Sequence, residues 1–141
     1  MSAEAFIGTN IFIYQPDTTD RRKTGIAGGI IRRAVVDGSG CISFQVIQET
    51  LNAVLRKAEV ALDTESAHRY VDVVMAPLFR VPATLDLYHR ALAIRARYRY
   101  GFYDSTIIAA ALVAGCKRLY SEDFQGGQHI EGLTIENPFA A

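Results

Sequence analysis

The stretch YDSTIIAAALVAGCKRLYSED, Tyr103–Asp123, decides the fold. Asp104 opens an alanine-rich helix over Ser105–Ala114 that Gly115 ends, and the strand-like run Arg118–Ser121 follows at once, closing on Asp123. A helix feeding directly into a short strand is one unit of an alternating pattern, and the neighbouring segments continue the same alternation.

Upstream, Asp86–Tyr98 places Leu87, Ala91, Ile94 and Tyr98 on one helical side, and Phe79–Val81 before Pro82 reads as a brief strand. A helix is expected over Thr64–Ala76, capped by Asp63 or Thr64. Cys41–Ser43 is expected as a strand leading into a helix with Ser43 as its N-cap and Ile47, Leu51, Val54 and Ala58 on its inner face. Asp20–Asp37 suits a helix, although Gly25, Gly28 and Gly29 weaken it by up to about 1 kcal/mol each relative to alanine. The first apolar run, Ala5–Tyr14, is β-branched and aromatic and reads as a strand buried on both faces. Downstream, Leu133–Ile135 is a further strand. This succession implies an α/β fold, a parallel sheet covered by helices in a single domain over residues 1–141.

Half of the residues are apolar, enough for one sizeable core, and 15 basic residues balance 15 acidic ones. With no net field to attract a polyanion, any contact with nucleic acid must be local. Arg21-Arg22-Lys23, Arg32-Arg33, Arg56-Lys57 and Arg95, Arg97 and Arg99 are candidate phosphate contacts or plain solvated helix faces. Cys41 and Cys116 stand far apart without a Cys-x-x-Cys pair, which argues against a disulfide framework or a thiolate zinc site and fits a reducing cytoplasm. The first residues lack a basic region, and no stretch approaches the roughly 20 apolar residues of a membrane span, so neither a signal peptide nor a membrane helix is expected. Neither Gly-x-Gly-x-x-Gly nor a Walker-type Gly-Lys-Ser/Thr occurs, which leaves a nucleotide-binding module little support.

In an open parallel sheet, ligands bind beyond the carboxyl ends of the strands. Asp104 and Asp123 are expected on that rim, with Glu49 in the helix after the second strand. Each has a structural reading as well: Asp104 as a helix N-cap, Asp123 as a turn residue, and Glu49 on the polar side of its helix, facing either a cleft or solvent.

Four fragments in order tie these residues together: Ile7-Gly8-Thr9-Asn10, Gln48-Glu49, Tyr103-Asp104-Ser105, and Ser121-Glu122-Asp123-Phe124-Gln125-Gly126-Gly127-Gln128. With the closing Gly132–Phe139, they make the chain resemble, nearly end to end, a PIN-domain ribonuclease of the VapC toxin type. The resemblance implies a PIN-like three-layer α/β/α fold with a central, mostly parallel sheet. It also implies a metal-dependent endoribonuclease in which Glu49, Asp104 and Asp123 bring carboxylates to Mg2+ or Mn2+. Hard cations of this kind take carboxylate and water oxygens, activate water and stabilise charge on a phosphate. Thr9, Asn10 and Ser121 would be polar supports orienting carboxylates, substrate or water. Similar toxins form homodimers and engage a cognate antitoxin, so RNA, an antitoxin and a second copy are the expected partners, with no membrane.

The departure is Gly8, where the family pattern has an aspartate. Glu4 would lie at the far end of the strand and cannot replace it. Loss of a supporting partner alone costs roughly 10- to 100-fold in metal affinity or activity, and loss of a direct ligand more. Weak metal binding and little or no cleavage are therefore expected. Two readings of Gly8 stay open: a structural glycine permitting close backbone approach, and a recent replacement of aspartate in an otherwise intact site. A non-catalytic pseudo-nuclease that dimerises and binds the antitoxin is the competing function.

Overall fold

A computed structural model describes residues 3–57, 62–124 and 127–140. The strands are β1 (Ala5–Ile7), β2 (Gly40–Ser43), β3 (Phe79–Val81), β4 (Arg118–Tyr120), β5 (His129–Ile130) and β6 (Leu133–Glu136). They form a six-stranded sheet in the order β3-β2-β1-β4-β6-β5, parallel except for the β5–β6 pair. The helices are α1 (Thr9–Tyr14), α2 (Arg21–Asp37), α3 (Phe44–Arg56), α4 (Thr64–Tyr70), α5 (Leu85–Tyr98) and α6 (Phe102–Val113). Helix α1 packs against α2 and α3, and α5 against α6, flanking the sheet in the α/β arrangement expected. The buried apolar side chains form one cluster.

The stretch quoted first sits at the centre. Every residue from Ser105 to Ala111 of α6 is buried, because alanines let the helix lie close while Ile108 fills the core at zero exposure. Gly115 then adopts φ 74°, a left-handed value that glycine takes without penalty, and turns the chain into β4.

Three expectations need correction, and that of Ser43 as a cap holds in position only. The run Ala5–Tyr14 is strand only to Ile7; Thr9–Tyr14 is helix, and adjacent Ile11 and Phe12 are both fully buried between α2 and α3. Packing on both neighbours overrides the strand propensity of these residues. Asp104 does not cap α6: the helix begins at Phe102 with Gly101 in the capping position, leaving Asp104 in the first turn. Ser43 stands at the N-cap of α3 without bonding it, its buried hydroxyl lacking a partner among the described residues. The inner face of α3 is Gln45, Val46, Thr50 and Val54; Ile47 and Leu51 are half-buried, and Ala58 lies outside the described residues.

Elsewhere the departures are in length. The helix expected over Thr64–Ala76 is α-helical to Tyr70, π-helical over Val71–Met75 and a 3-10 turn over Ala76–Leu78, with Asp63 as its bonded cap. The short β5 was not expected; two residues carry too little pattern to be read.

Candidate active site

The sheet order reverses between β1 and β4, so the loops that follow these strands diverge and leave a crevice at their carboxyl ends. Gly8 follows β1 and Ser121 follows β4. Between them, with α3 and α6 as walls, lies a pocket of about 80 Å³ lined by Gly8, Thr9, Gln45, Glu49, Asp104, Ile107, Ser121, Asp123 and Phe124. Glu49, Asp104 and Asp123, separated by tens of residues in sequence, thus share one concavity. Of the polar residues of α3, Gln45 and Glu49 line this cleft, while Gln48, Asn52 and Arg56 are exposed.

The carboxylates are held to different degrees. Thr9 donates its hydroxyl to Glu49 Oε1 at 2.7 Å, and Gln45 Nε2 donates to Glu49 Oε2 at 3.2 Å and to the Tyr103 carbonyl at 3.1 Å. One amide thereby fixes Glu49 and the backbone just before Asp104. Ser121 Oγ accepts the Asp123 N–H at 3.1 Å, shaping the turn that presents Asp123. Asp104 remains solvent-accessible, yet its carboxyl is pushed above the usual range, first by partial desolvation, then by the negative charges of Asp123 and Glu49.

Oxygen donors of this kind suit a hard dication. Among the described residues, however, no three His, Cys, Asp or Glu side chains stand close enough to grip one ion directly. The place where a further carboxylate would enter, at the end of β1, is Gly8. Its backbone is ordinary, φ −72° and ψ 162°, so conformation does not demand glycine. Space does: a Cβ there would lie 2.7 Å from the Tyr120 carbonyl oxygen, which the Gly8 N–H bonds at 2.9 Å. The close-approach reading of Gly8 therefore has a structural basis.

Asn10 is not among the lining residues; its amide is buried and unpartnered among the described residues. Gln45, which the sequence reading passed over in favour of Gln48-Glu49, holds the site together; its i, i+4 spacing to Glu49 was the available signal. Lys23, read as a candidate phosphate contact, instead pairs with Glu122 at 2.6 Å, and Tyr14 also donates to Glu122, anchoring the loop beside Asp123. Glu4 lines a separate cleft of about 180 Å³ at the other end of β1, together with Asp37, Arg33 and Arg118.

No curated protein matches the chain significantly. Solved structures do. A toxin-antitoxin complex from Klebsiella pneumoniae aligns with a TM-score of 0.69 at 17% identity, covering 98% of this chain and 100% of that one. The VapBC2 structure from Rickettsia felis, bound to a DNA fragment from its promoter, aligns with a TM-score of 0.68 at 14% identity, covering 94% and 97%. The sarcin-ricin loop cleaving toxin VapC20 of Mycobacterium tuberculosis aligns with a TM-score of 0.61 at 22% identity, covering 85% and 90%. At these identities the likeness is one of fold. Residues 5–125 match the PIN domain as a family, and the chain belongs to it.

Proposed function

We propose that this chain is the toxin component of a toxin-antitoxin pair, built as a Mg2+- or Mn2+-dependent endoribonuclease acting in the cytoplasm and impaired by Gly8. The observation that carries this reading is the single pocket in which Glu49, Asp104 and Asp123 meet beside the carboxyl end of β1. Asp104 and Asp123 would hold the ion, partly through water, with Glu49 oriented toward it by Thr9 and Gln45. A bound ion of this class supplies activated water and neutralises charge on the scissile phosphate. The residues themselves position: Ser121 sets the turn of Asp123, and Gln45 ties α3 to the start of α6.

A second reading, a pseudo-nuclease that serves by binding its antitoxin and a second copy of itself, is favoured by the tight fit of β4 over Gly8. A surface for the second copy is offered by Leu85 and Leu92 of α5, both exposed and seven residues apart on one helical side, with Tyr88 stacked on Phe102 between them.

Cleavage of a structured RNA by the chain and by Gly8→Asp, each with and without Mg2+, tests the proposal, with circular dichroism to verify folding. The chain is expected to cut at least about 10-fold more slowly than Gly8→Asp, and Asp104→Asn introduced into Gly8→Asp should abolish cleavage. A folded Gly8→Asp protein that cuts nothing would overturn the nuclease reading. Equal cleavage by both would overturn the impairment.

A further inference from the structure

Cys41 and Cys116, 75 positions apart in sequence, meet in the core with their sulfurs 3.4 Å apart, and neither is bonded to another cysteine. Cys41 lies on β2 at zero exposure; Cys116, in the turn between α6 and β4, keeps 5% of its surface accessible. Two thiols in contact are unnecessary for filling a core, which either sulfur could do beside an aliphatic side chain. They do satisfy the first requirement of a cross-link, because a disulfide needs its sulfurs at about 2.05 Å and side-chain rotation can close the remaining gap of about 1.3 Å.

We propose that Cys41 and Cys116 form an oxidisable dithiol, a modification site at which a small peroxide-class oxidant converts the pair to an intramolecular disulfide. Cys116, in the turn after α6, is the less deeply buried of the two, so a small oxidant is expected to enter the pair from that side. A Cys41 or Cys116 thiolate attacks a peroxide oxygen, the O–O bond breaks, and hydroxide leaves and is protonated to water, giving a sulfenic acid. The facing thiolate attacks that sulfur, the S–O bond breaks, and the second hydroxide leaves as water after taking a proton. Two thiols and one hydrogen peroxide become one disulfide and two waters.

The arrangement favours the Cys41 thiolate. The sulfur–sulfur hydrogen bond with Cys116, in which either thiol can donate, holds the Cys41 thiol below its ordinary value against the opposing effect of burial, with the Arg80 charge adding to it. The same contact pushes the Cys116 thiol up, and burial acts in the same direction. The linkage would tie β2, which leads into α3 and Glu49, to the far end of the helix whose first turn carries Asp104, leaving the pocket open. The inference is therefore independent of whether the pocket cuts RNA.

The full-length protein is treated with graded hydrogen peroxide, unfolded in the presence of a maleimide, and weighed intact. Both thiols are expected to disappear together, giving species with two maleimides or none, the latter lighter by about 2 Da from loss of two hydrogens. Digestion should yield a Cys41–Cys116 cross-linked peptide, and thermal unfolding should shift upward by roughly 5–10 °C, since the bridge closes a long loop in the unfolded chain. Cys41→Ser and Cys116→Ser should instead gain oxygen at the remaining sulfur. Stepwise loss of thiols in the parent, oxygen addition without cross-linked peptide, or no reaction while the protein stays folded would each overturn the proposal.

Discussion

At position 8 two effects act through one side chain. A methyl group alone, as in Gly8→Ala, meets the Tyr120 carbonyl at 2.7 Å and must part β1 from β4 by several tenths of an ångström. Such overpacking costs about 1–3 kcal/mol, so urea denaturation of Gly8→Ala is expected to show a loss in that range; an unchanged midpoint would mean that the two strands separate freely. Gly8→Asp adds like-charge repulsion to this steric cost in the absence of metal, and only it should regain stability with Mg2+. Asp104 provides the complementary case. Its carboxyl sits above the usual range because of desolvation and the nearby Asp123 and Glu49 charges, so ionisation costs the folded state more than the unfolded one. That cost is present above the folded-state value and disappears as pH falls toward the unfolded value. Without metal, Asp104→Asn should therefore melt about 1–3 °C higher near pH 7, and the gain should vanish as the solution is acidified through the carboxylate range. A constant difference across that range would refute the repulsion.

Among the elements, the loop after β4 depends on α1 and α2 for its position. Lys23 of α2 and Tyr14 of α1 converge on Glu122, and the Lys23 ammonium also lies 4.8 Å from the centre of the Tyr14 ring. Burial tends to raise the Glu122 carboxyl, but the bonds from Lys23 and Tyr14 together bring it below its ordinary value of 4.5. Its contribution is thus present above that value and lost as pH falls through the lower folded-state one; the Lys23 contribution fades only as pH rises toward about 12. Glu122→Gln is expected to lower the melting temperature by roughly 1–3 °C at neutral pH, with the difference closing below pH 4.5. Equal melting curves at neutral pH would count against the anchor. Helix α5 was legible because the apolar spacing of Leu87, Ala91 and Ile94 agrees with the core that it meets, whereas α2 buries Ala27, Gly28, Ile31 and Ala34 and leaves Ile26, Ile30 and Val35 half-buried. Helix α1 was not legible, since six residues rich in Ile and Phe have strand propensity and too few turns to show a helical period. The opening of α6 was misplaced for a related reason: Asp104 has the chemistry of a cap, while the actual cap, Gly101, makes no side-chain bond to betray itself.

For the molecule as a whole, the ordering of strands does what no local segment can. Glu49, Asp104 and Asp123 were legible as candidates from residue type and motif, and the reversal of strand order between β1 and β4 places their pocket. The approach of Cys41 to Cys116 had no local signal, because it depends on how α6 seats against β2. The self-association proposed for the apolar side of α5 is tested at this scale. Leu92→Lys is expected to convert a dimer to a monomer in analytical ultracentrifugation, without altering the secondary structure; a parent chain already monomeric at high concentration would exclude the proposed self-association.

The carbonyl of Tyr120 leaning over Gly8 also sets the terms on which an acid could enter there. An aspartate introduced here brings its charge and must also displace the Tyr120 carbonyl, so the activity it supplies and the stability it costs arrive together. Substitutions around Tyr120 and Ser121 that ease this approach should recover the stability that Gly8→Asp loses while leaving its charge in place.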